Sequence, residues 1–150
     1  AILFVCILHA ATVSTQPEEL YLSIHHGRSC ALLKSRFVHV GDVIRLSWIH
    51  SVELTPWEED YEVQTDGSLV LKTTRFQSYG AGVPEYGGKF RKEREWMLYE
   101  NINRRFPALN WIHSRTVKFE IRINDSVFVK PEDLPHHEPL KLTIVRETPP

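Results

Sequence analysis

Short apolar–polar alternations, each ended by a turn signal, limit what this chain can fold into. In the segment 43–49 the apolar residues Ile44, Leu46 and Trp48 recur at every second position, the period of a half-buried β-strand. Asp66-Gly67 and Asn124-Asp125 provide tight-turn signals between such runs. No long amphipathic helical pattern occurs in the sequence. The chain is therefore predicted to be all-β, either a small antiparallel β-sandwich or a partly closed barrel with short helical turns.

The same criteria place the individual elements. Strands are predicted at 20–24, 30–34, 43–49, 61–64, 69–76, 96–102, 109–113, 117–123, 126–130 and 140–145. Residues 89–95 mix both signs of charge, which predicts an exposed strand or hairpin rim. Short helical pieces are predicted at 131–134 and 100–106.

Composition excludes several classes of protein. With 42% hydrophobic and 25% charged residues among 150, the chain has the composition of one folded globular domain. Its 18 Lys and Arg nearly balance 19 Asp and Glu, so no strong field attracts nucleic acid. Two cysteines are too few to frame a disulfide scaffold or a structural zinc site. We expect no nucleic-acid partner.

The N-terminal segment differs from the rest of the chain. Residues 1–13 are almost wholly apolar, and polar, turn-rich sequence begins at Ser14. The run is short for a membrane span and typical of the apolar region of a signal peptide. A signal anchor whose start is incomplete, or a buried strand or helix, are the alternatives. We expect residues 1–15 to be a signal peptide or N-terminal membrane anchor, and residues 16–150 to be a single β-domain that is exported.

Ionisable and aromatic side chains gather where the strand 43–49 ends. His50 and Glu53 are three residues apart, and Glu59 follows a proline turn. If the chain reverses there, a carboxylate approaches His50, and histidine with carboxylates is a ligand set for zinc or another divalent cation. The alternative is that His50 only pairs with a carboxylate to satisfy polar groups at a strand end. We favour this alternative and assign no metal.

Two further motifs give little support to an enzyme. His50 and Ser51 are neighbours in a strand pattern and point to opposite faces, so they do not form a nucleophile–base pair. A phosphate-binding loop requires a helix after its glycines, and no helical pattern follows Gly80 and Gly82. We therefore expect no catalytic residues and no cofactor, and keep a metal-dependent hydrolase as the alternative.

A hexapeptide occurs twice in similar form. LSWIHS at 46–51 is matched by LNWIHS at 109–114, and Leu, Trp and His alternate onto one face in both copies. One interpretation brings His50 and His113 toward a single pocket. The other is coincidence between two core strands of similar composition. We favour coincidence, because the flanking sequences do not match.

Two blocks, RLSWIHSVELTPWEEDYEV at 45–63 and LVLKTTRFQSYGAGVPEY at 69–86, resemble the DUF1850 family of domains of unknown function. The shared pattern is a strand ending in His-Ser-Val-Glu, then Pro and Glu, then a Gly-Ala-Gly turn. It falls on His50, Ser51, Val52, Glu53, Pro56, Glu59, Gly80, Ala81 and Gly82. Members are small bacterial proteins, usually with one N-terminal hydrophobic segment, typically encoded beside TAXI-type TRAP transporters. The resemblance implies a periplasmic or otherwise extracytoplasmic, membrane-tethered accessory protein of a solute-uptake system, with no established catalytic activity.

The residues and the resemblance together predict a binding or docking site. His50, Glu53 and Glu59 are expected to form it, with the loop 80–82 folded over them. Trp57 and Tyr79, predicted to lie in loops, are expected to contact the ligand or partner. The predicted set is His50, Ser51, Glu53, Trp57, Glu59, Tyr79, Gly80, Ala81 and Gly82.

The expected target of this site is a TRAP transporter subunit, its solute-binding protein, or a small polar solute. The alternatives are a metal-dependent enzyme and a small free-standing solute-binding protein. The latter would need an apolar-walled cavity of roughly 300 Å³ or more.

Overall fold

The computed structural model describes residues 18–78 and 87–147, which form two antiparallel sheets packed as a sandwich. The strands are β1 Glu19–His26, β2 Leu32–Val38, β3 Val43–Ile49, β4 Pro56–Val63, β5 Leu69–Phe76, β6 Lys89–Glu93, β7 Trp96–Phe106, β8 Leu109–Ile112, β9 Glu120–Ile123, β10 Ser126–Val129 and β11 Pro139–Glu147. A turn of 3-10 helix covers Pro131–Asp133, within the predicted helical piece 131–134. The all-β prediction is confirmed, and the sheets do not close into a barrel.

The smaller sheet has the strand order β2-β1-β11-β8, and the larger has the order β10-β9-β3-β4-β5-β7-β6. The first strand of the chain, β1, pairs along its whole length with the last strand, β11, so the smaller sheet joins the two ends of the described chain. Two predicted turns connect hairpins of the larger sheet. Gly67 takes a φ of 78° between β4 and β5, while Asn124 and Asp125 take 46° and 67° between β9 and β10. Glycine, Asn and Asp are the residues that tolerate such backbone angles best.

Alternate side chains of the two sheets meet in one core. Ile44 and Leu46 of β3 are buried, as their spacing predicts. Leu22 of β1 and Leu142 of β11 are fully buried from the smaller sheet. Burying one such side chain contributes about 1.5–3 kcal/mol. A second buried cluster of Trp57, Phe76 and Met97 continues the core along the larger sheet.

Two predictions about the larger sheet are wrong. The helix predicted at 100–106 is part of β7, which pairs with β5 through a bulge where Asn101 and Asn103 take positive φ. In addition, β4 begins at Pro56, so Trp57 lies in a strand and not in a loop. This strand is held by pairing with both β3 and β5, which outweighs the low strand propensity of its acidic residues. The exposed strand predicted at 89–95 is confirmed as β6, an edge strand.

The predicted signal peptide or membrane anchor over residues 1–15 lies outside the described residues. Within residues 18–78 and 87–147, no helix has the length and apolar character that crossing a membrane requires.

Candidate functional site

A cleft of about 510 Å³ lies between the two sheets. Its walls come from β3, β4 and the end of β7 in the larger sheet, from β8 of the smaller sheet, and from the segments on either side of β8. The lining residues are mostly aromatic or aliphatic: Leu46, Trp48, Glu59, Tyr61, Phe106, Ala108, Leu109, Asn110, Trp111, Ile112, Val117 and Phe119. Glu59 is the one carboxylate among them, and this lining contains no Lys, Arg, His or Cys. Such a concave, mainly apolar surface with few polar groups is typical of small-molecule sites.

The alternation of β4 directs Glu59 into the sandwich. Side chains at successive strand positions point to opposite faces, so Trp57, Glu59 and Tyr61 share one face. Trp57 and Tyr61 are both buried, which identifies this face as the inner one. In the pairing with β3, Glu59 lies opposite Leu46, and Trp57 lies opposite Trp48. The register of one antiparallel pair therefore places a carboxylate among core side chains.

The two neighbours of Glu59 on its own strand hold its carboxylate. The Tyr61 hydroxyl donates to Oε2 at 2.6 Å, and the indole N–H of Trp57 donates to Oε1 at 3.3 Å. Burial raises the pKa of Glu59, while these two hydrogen bonds act in the opposite direction. A carboxylate has about four acceptor positions. Two are occupied by these donors, so Glu59 retains acceptor capacity toward the cleft.

The acidic residues on either side of Glu59 are directed outward and are paired. Arg45 donates two hydrogen bonds to Asp60, at 2.7 and 2.9 Å. Arg75 forms an ion pair with Glu58. No such basic partner is found for Glu59 among the residues that the structure describes. Of this acidic run, Glu59 alone combines an inward position with an uncompensated charge.

Stacked rings line the cleft and continue beyond it. Trp111 of the smaller sheet stacks on Phe119 with ring centroids 5.2 Å apart, and Phe119 stacks on Trp48 at 6.2 Å. Trp48 stacks on Trp57 at 5.9 Å, and Trp57 on Phe76 at 4.6 Å. These contacts link the two sheets at the cleft and fix the positions of its aromatic walls.

His50 closes the turn between β3 and β4. Its backbone N–H donates to the Thr55 carbonyl at 2.9 Å, and its own carbonyl accepts from the Leu54 N–H at 2.9 Å. The backbone N–H of Glu53 donates to the imidazole Nδ1 at 3.4 Å. The ring lies against Trp57, with centroids 5.9 Å apart. His50 therefore makes the contacts of a residue that stabilises a turn.

The structure brings together only part of the predicted site. Glu59 lies opposite Leu46, four residues before His50, which is roughly 13 Å along the strand. Ser51 and Glu53 are exposed in the turn. Among the described residues, no group of three or more His, Cys, Asp or Glu side chains could hold a metal ion. The remaining predicted residues, Tyr79, Gly80, Ala81 and Gly82, lie outside the described residues.

The family model of a domain of unknown function, DUF1850, matches residues 44–128. The chain belongs to the DUF1850 family. The match confirms the resemblance and extends it beyond the blocks at 45–63 and 69–86 on which the resemblance rests. No curated protein and no solved structure shows a significant match to this DUF1850 chain. The matched range runs from β3 into β10 and includes every lining residue of the cleft, whereas β1, β2 and β11 lie outside it.

The repeated hexapeptide has a spatial counterpart in this DUF1850 domain. Leu46 and Trp48 line the cleft from the larger sheet, and Leu109 and Trp111 line it from the smaller one. Two core strands of similar composition that face each other also give this arrangement, so the interpretation as coincidence stays a prediction. The histidines do not follow this arrangement, because neither copy's histidine lines the cleft. His113 is fully buried and its Nε2 donates to the Pro131 carbonyl at 2.8 Å.

Most of the cleft was not predicted from the sequence. The repeat carries a signal for Leu109 and Trp111, because it places both on the face equivalent to that of Leu46 and Trp48. We find no comparable local signal for Phe119, which lies between β8 and β9 and reaches the cleft only through tertiary packing.

Proposed function

We propose that this DUF1850 domain is a binding module rather than an enzyme, and that a small molecule occupies the cleft between its sheets. The observation that carries the proposal is Glu59, a carboxylate directed into an aromatic-walled cleft of about 510 Å³. Burial of an ionisable group without a basic partner destabilises a fold. A role in ligand binding gives a reason for this residue at an otherwise apolar position.

The chemistry of the lining supports binding over turnover. General acid–base or nucleophilic catalysis requires at least one positioned group, and usually a second that activates or orients it. The described lining offers Glu59, whose carboxylate is held by Tyr61 and Trp57, and no histidine, lysine or cysteine beside it. A single carboxylate in an apolar cleft suits the orientation of a ligand that has an apolar body and one hydrogen-bond donor.

The proposal includes a biological setting, for which the support is the family resemblance. The module would act outside the cytoplasm, held at the membrane or exported by its N-terminal segment, as an accessory of a TAXI-type TRAP transporter. The protein partner would be a transporter subunit or its solute-binding protein, and the cleft would receive a small solute.

A fluorescence titration tests the binding function. 1-Aminoanthracene has an apolar body and one amine, and its emission increases in an apolar site. We expect saturable binding to the wild-type protein, and binding about tenfold or more weaker to Ala108→Phe, because the new ring extends into the cleft. Ala31→Phe, at an exposed turn away from the cleft lining, is the matched control and is expected to bind like the wild type.

Two results would contradict the binding function: no saturable binding to the wild type, or equal binding by folded Ala108→Phe. The setting is tested separately by affinity capture of the full chain co-expressed with the subunits of a TAXI-type TRAP transporter. Failure to recover any of these subunits would remove the transporter from the proposal, but it would not affect the proposal that the cleft binds a small molecule.

A further inference from the structure

The cleft has a charge that limits which ligands fit it. We propose that the cleft selects cations, so that its ligand carries an amine or ammonium group beside an apolar body and pairs this group with Glu59. The inference rests on the proposed binding function of the cleft and adds the chemical class of the ligand.

The first argument is charge compensation. Glu58 and Asp60, on the outer face of β4, each pair with an arginine. Glu59, on the inner face, lines a cleft whose described residues include no Lys, Arg or His. An ionised carboxylate in such surroundings is stabilised by a partner of opposite charge, and the described residues of the cleft provide none. A ligand cation would supply it.

The second argument is the capacity of Glu59 for hydrogen bonds. Oε1 accepts from Trp57 and Oε2 accepts from Tyr61, so each oxygen keeps one acceptor position. Both protein partners donate to the carboxylate, so its remaining positions toward the cleft are acceptors when it is ionised. An ammonium group donates to such an oxygen and neutralises its charge. A hydroxyl group can donate to this oxygen but does not neutralise its charge, and a ligand carboxylate would be repelled.

The third argument concerns the aromatic walls. Trp48, Trp111 and Phe119 line the same cleft as Glu59. The faces of aromatic rings attract cations, most strongly for tryptophan and more strongly where water is excluded. An aromatic wall with one carboxylate therefore favours an ammonium group over a neutral group of the same size.

Three ligands with one carbon skeleton test the selectivity. 4-Phenylbutylamine, 4-phenylbutan-1-ol and 4-phenylbutyrate place a cation, a neutral hydroxyl and an anion on the same apolar body. By calorimetric titration of the full chain near neutral pH, we expect the amine to bind about tenfold or more tightly than the alcohol, and the acid to bind weakest.

Variants then assign the selectivity to one residue. Glu59→Gln should reduce amine affinity to that of the alcohol and leave alcohol binding nearly unchanged. Glu62→Gln makes the same charge change on the outer face of the same strand and should bind like the wild type. Thermal unfolding without ligand verifies that both variants are folded.

The outcomes separate this inference from the proposed function. Equal binding of amine and alcohol by the wild type, or an amine preference that survives in Glu59→Gln, would refute cation selection while the cleft remains a binding site. Tightest binding of the acid would refute it as well. If neither these ligands nor 1-aminoanthracene bind to the wild type, the proposed function fails together with the inference.

Discussion

Phe119 joins the two sheets beside the cleft, and replacing it tests the packing on which the site depends. Its side chain is 7% exposed. It stacks on Trp111 of the smaller sheet at 5.2 Å and on Trp48 of the larger sheet at 6.2 Å. Its ring also meets the buried imidazole of His113 edge-on at 5.7 Å. One ring thus contacts core side chains of both sheets.

These contacts set the size of the expected effect. A buried Phe→Ala substitution destabilises a protein by about 3–5 kcal/mol, which is a large part of the roughly 5–15 kcal/mol that holds a domain folded. Each aromatic pair contributes about 0.5–1.5 kcal/mol beyond the area that it buries. Phe119→Leu retains most of the apolar volume but loses two stacked pairs. We therefore expect about 1–3 kcal/mol for Phe119→Leu and more for Phe119→Ala.

Urea unfolding followed by tryptophan fluorescence measures these losses. The midpoint should fall for both Phe119 variants while the slope m is retained, since the same surface is exposed on unfolding. Phe90, which is 46% exposed on the edge strand β6, supplies the control. Phe90→Ala should lower the free energy of unfolding by less than about 1 kcal/mol. If Phe119→Ala proves no more damaging than Phe90→Ala, Phe119 does not link the sheets.

Three other substitutions test separate features. Glu59→Gln should raise the free energy of unfolding at neutral pH. Burial raises the pKa of Glu59, so its carboxyl group contributes stability fully below its unfolded-state pKa and loses that contribution as the pH rises through its folded-state pKa. Urea titrations should therefore show that the stability gained by Glu59→Gln becomes smaller on acidification. A stability gain that becomes larger on acidification would contradict this. Gly88→Ala should lower the melting temperature more than Gly41→Ala. Both glycines have positive φ, which strains an alanine by about 1–2 kcal/mol, but only at Gly88 does the new Cβ meet a backbone oxygen, that of Glu100 at 2.6 Å; equal shifts would refute the clash. His113→Ala should lower the free energy of unfolding in urea by about 1–3 kcal/mol, because it leaves the partly buried Pro131 carbonyl without its donor. An unchanged urea midpoint would show that water replaces that donor.

The position of Glu59 was available in the sequence and was missed. From Trp57 to Val63 the odd-numbered residues are Trp, Glu, Tyr and Val, and the even-numbered residues are all acidic. A strand with this alternation has one apolar face, and Glu59 falls on it. The strand predicted from the sequence begins at residue 61, which places Glu59 between a proline turn and that strand. Its acidic residues have low strand propensity, and the pairing on both sides that overrides it involves other strands.

The predicted convergence of His50 with Glu59 depended on that turn. The chain reverses between β3 and β4 at residues 50–55, so Pro56 already begins the returning strand. Each further residue then moves away from His50 by about 3.3 Å. The short spacing of His50 and Glu59 in the sequence suggests that they lie close together, but the antiparallel register places them apart.

The sequence by itself determined that this protein is all-β, where its tightest hairpins turn, that β6 is exposed, and that it belongs to the DUF1850 family. These properties depend on local alternation, on the backbone angles that Gly, Asn and Asp tolerate, and on motifs within continuous segments.

Only the tertiary structure decided that β1 pairs with β11, and that β8 lies across from β3 and β4 to form the cleft. Leu46 and Trp111 are far apart in the sequence, and their approach depends on strand order and on how two sheets pack face to face. Local propensity carries no information about either, because each strand satisfies its own alternation equally well beside several different neighbours.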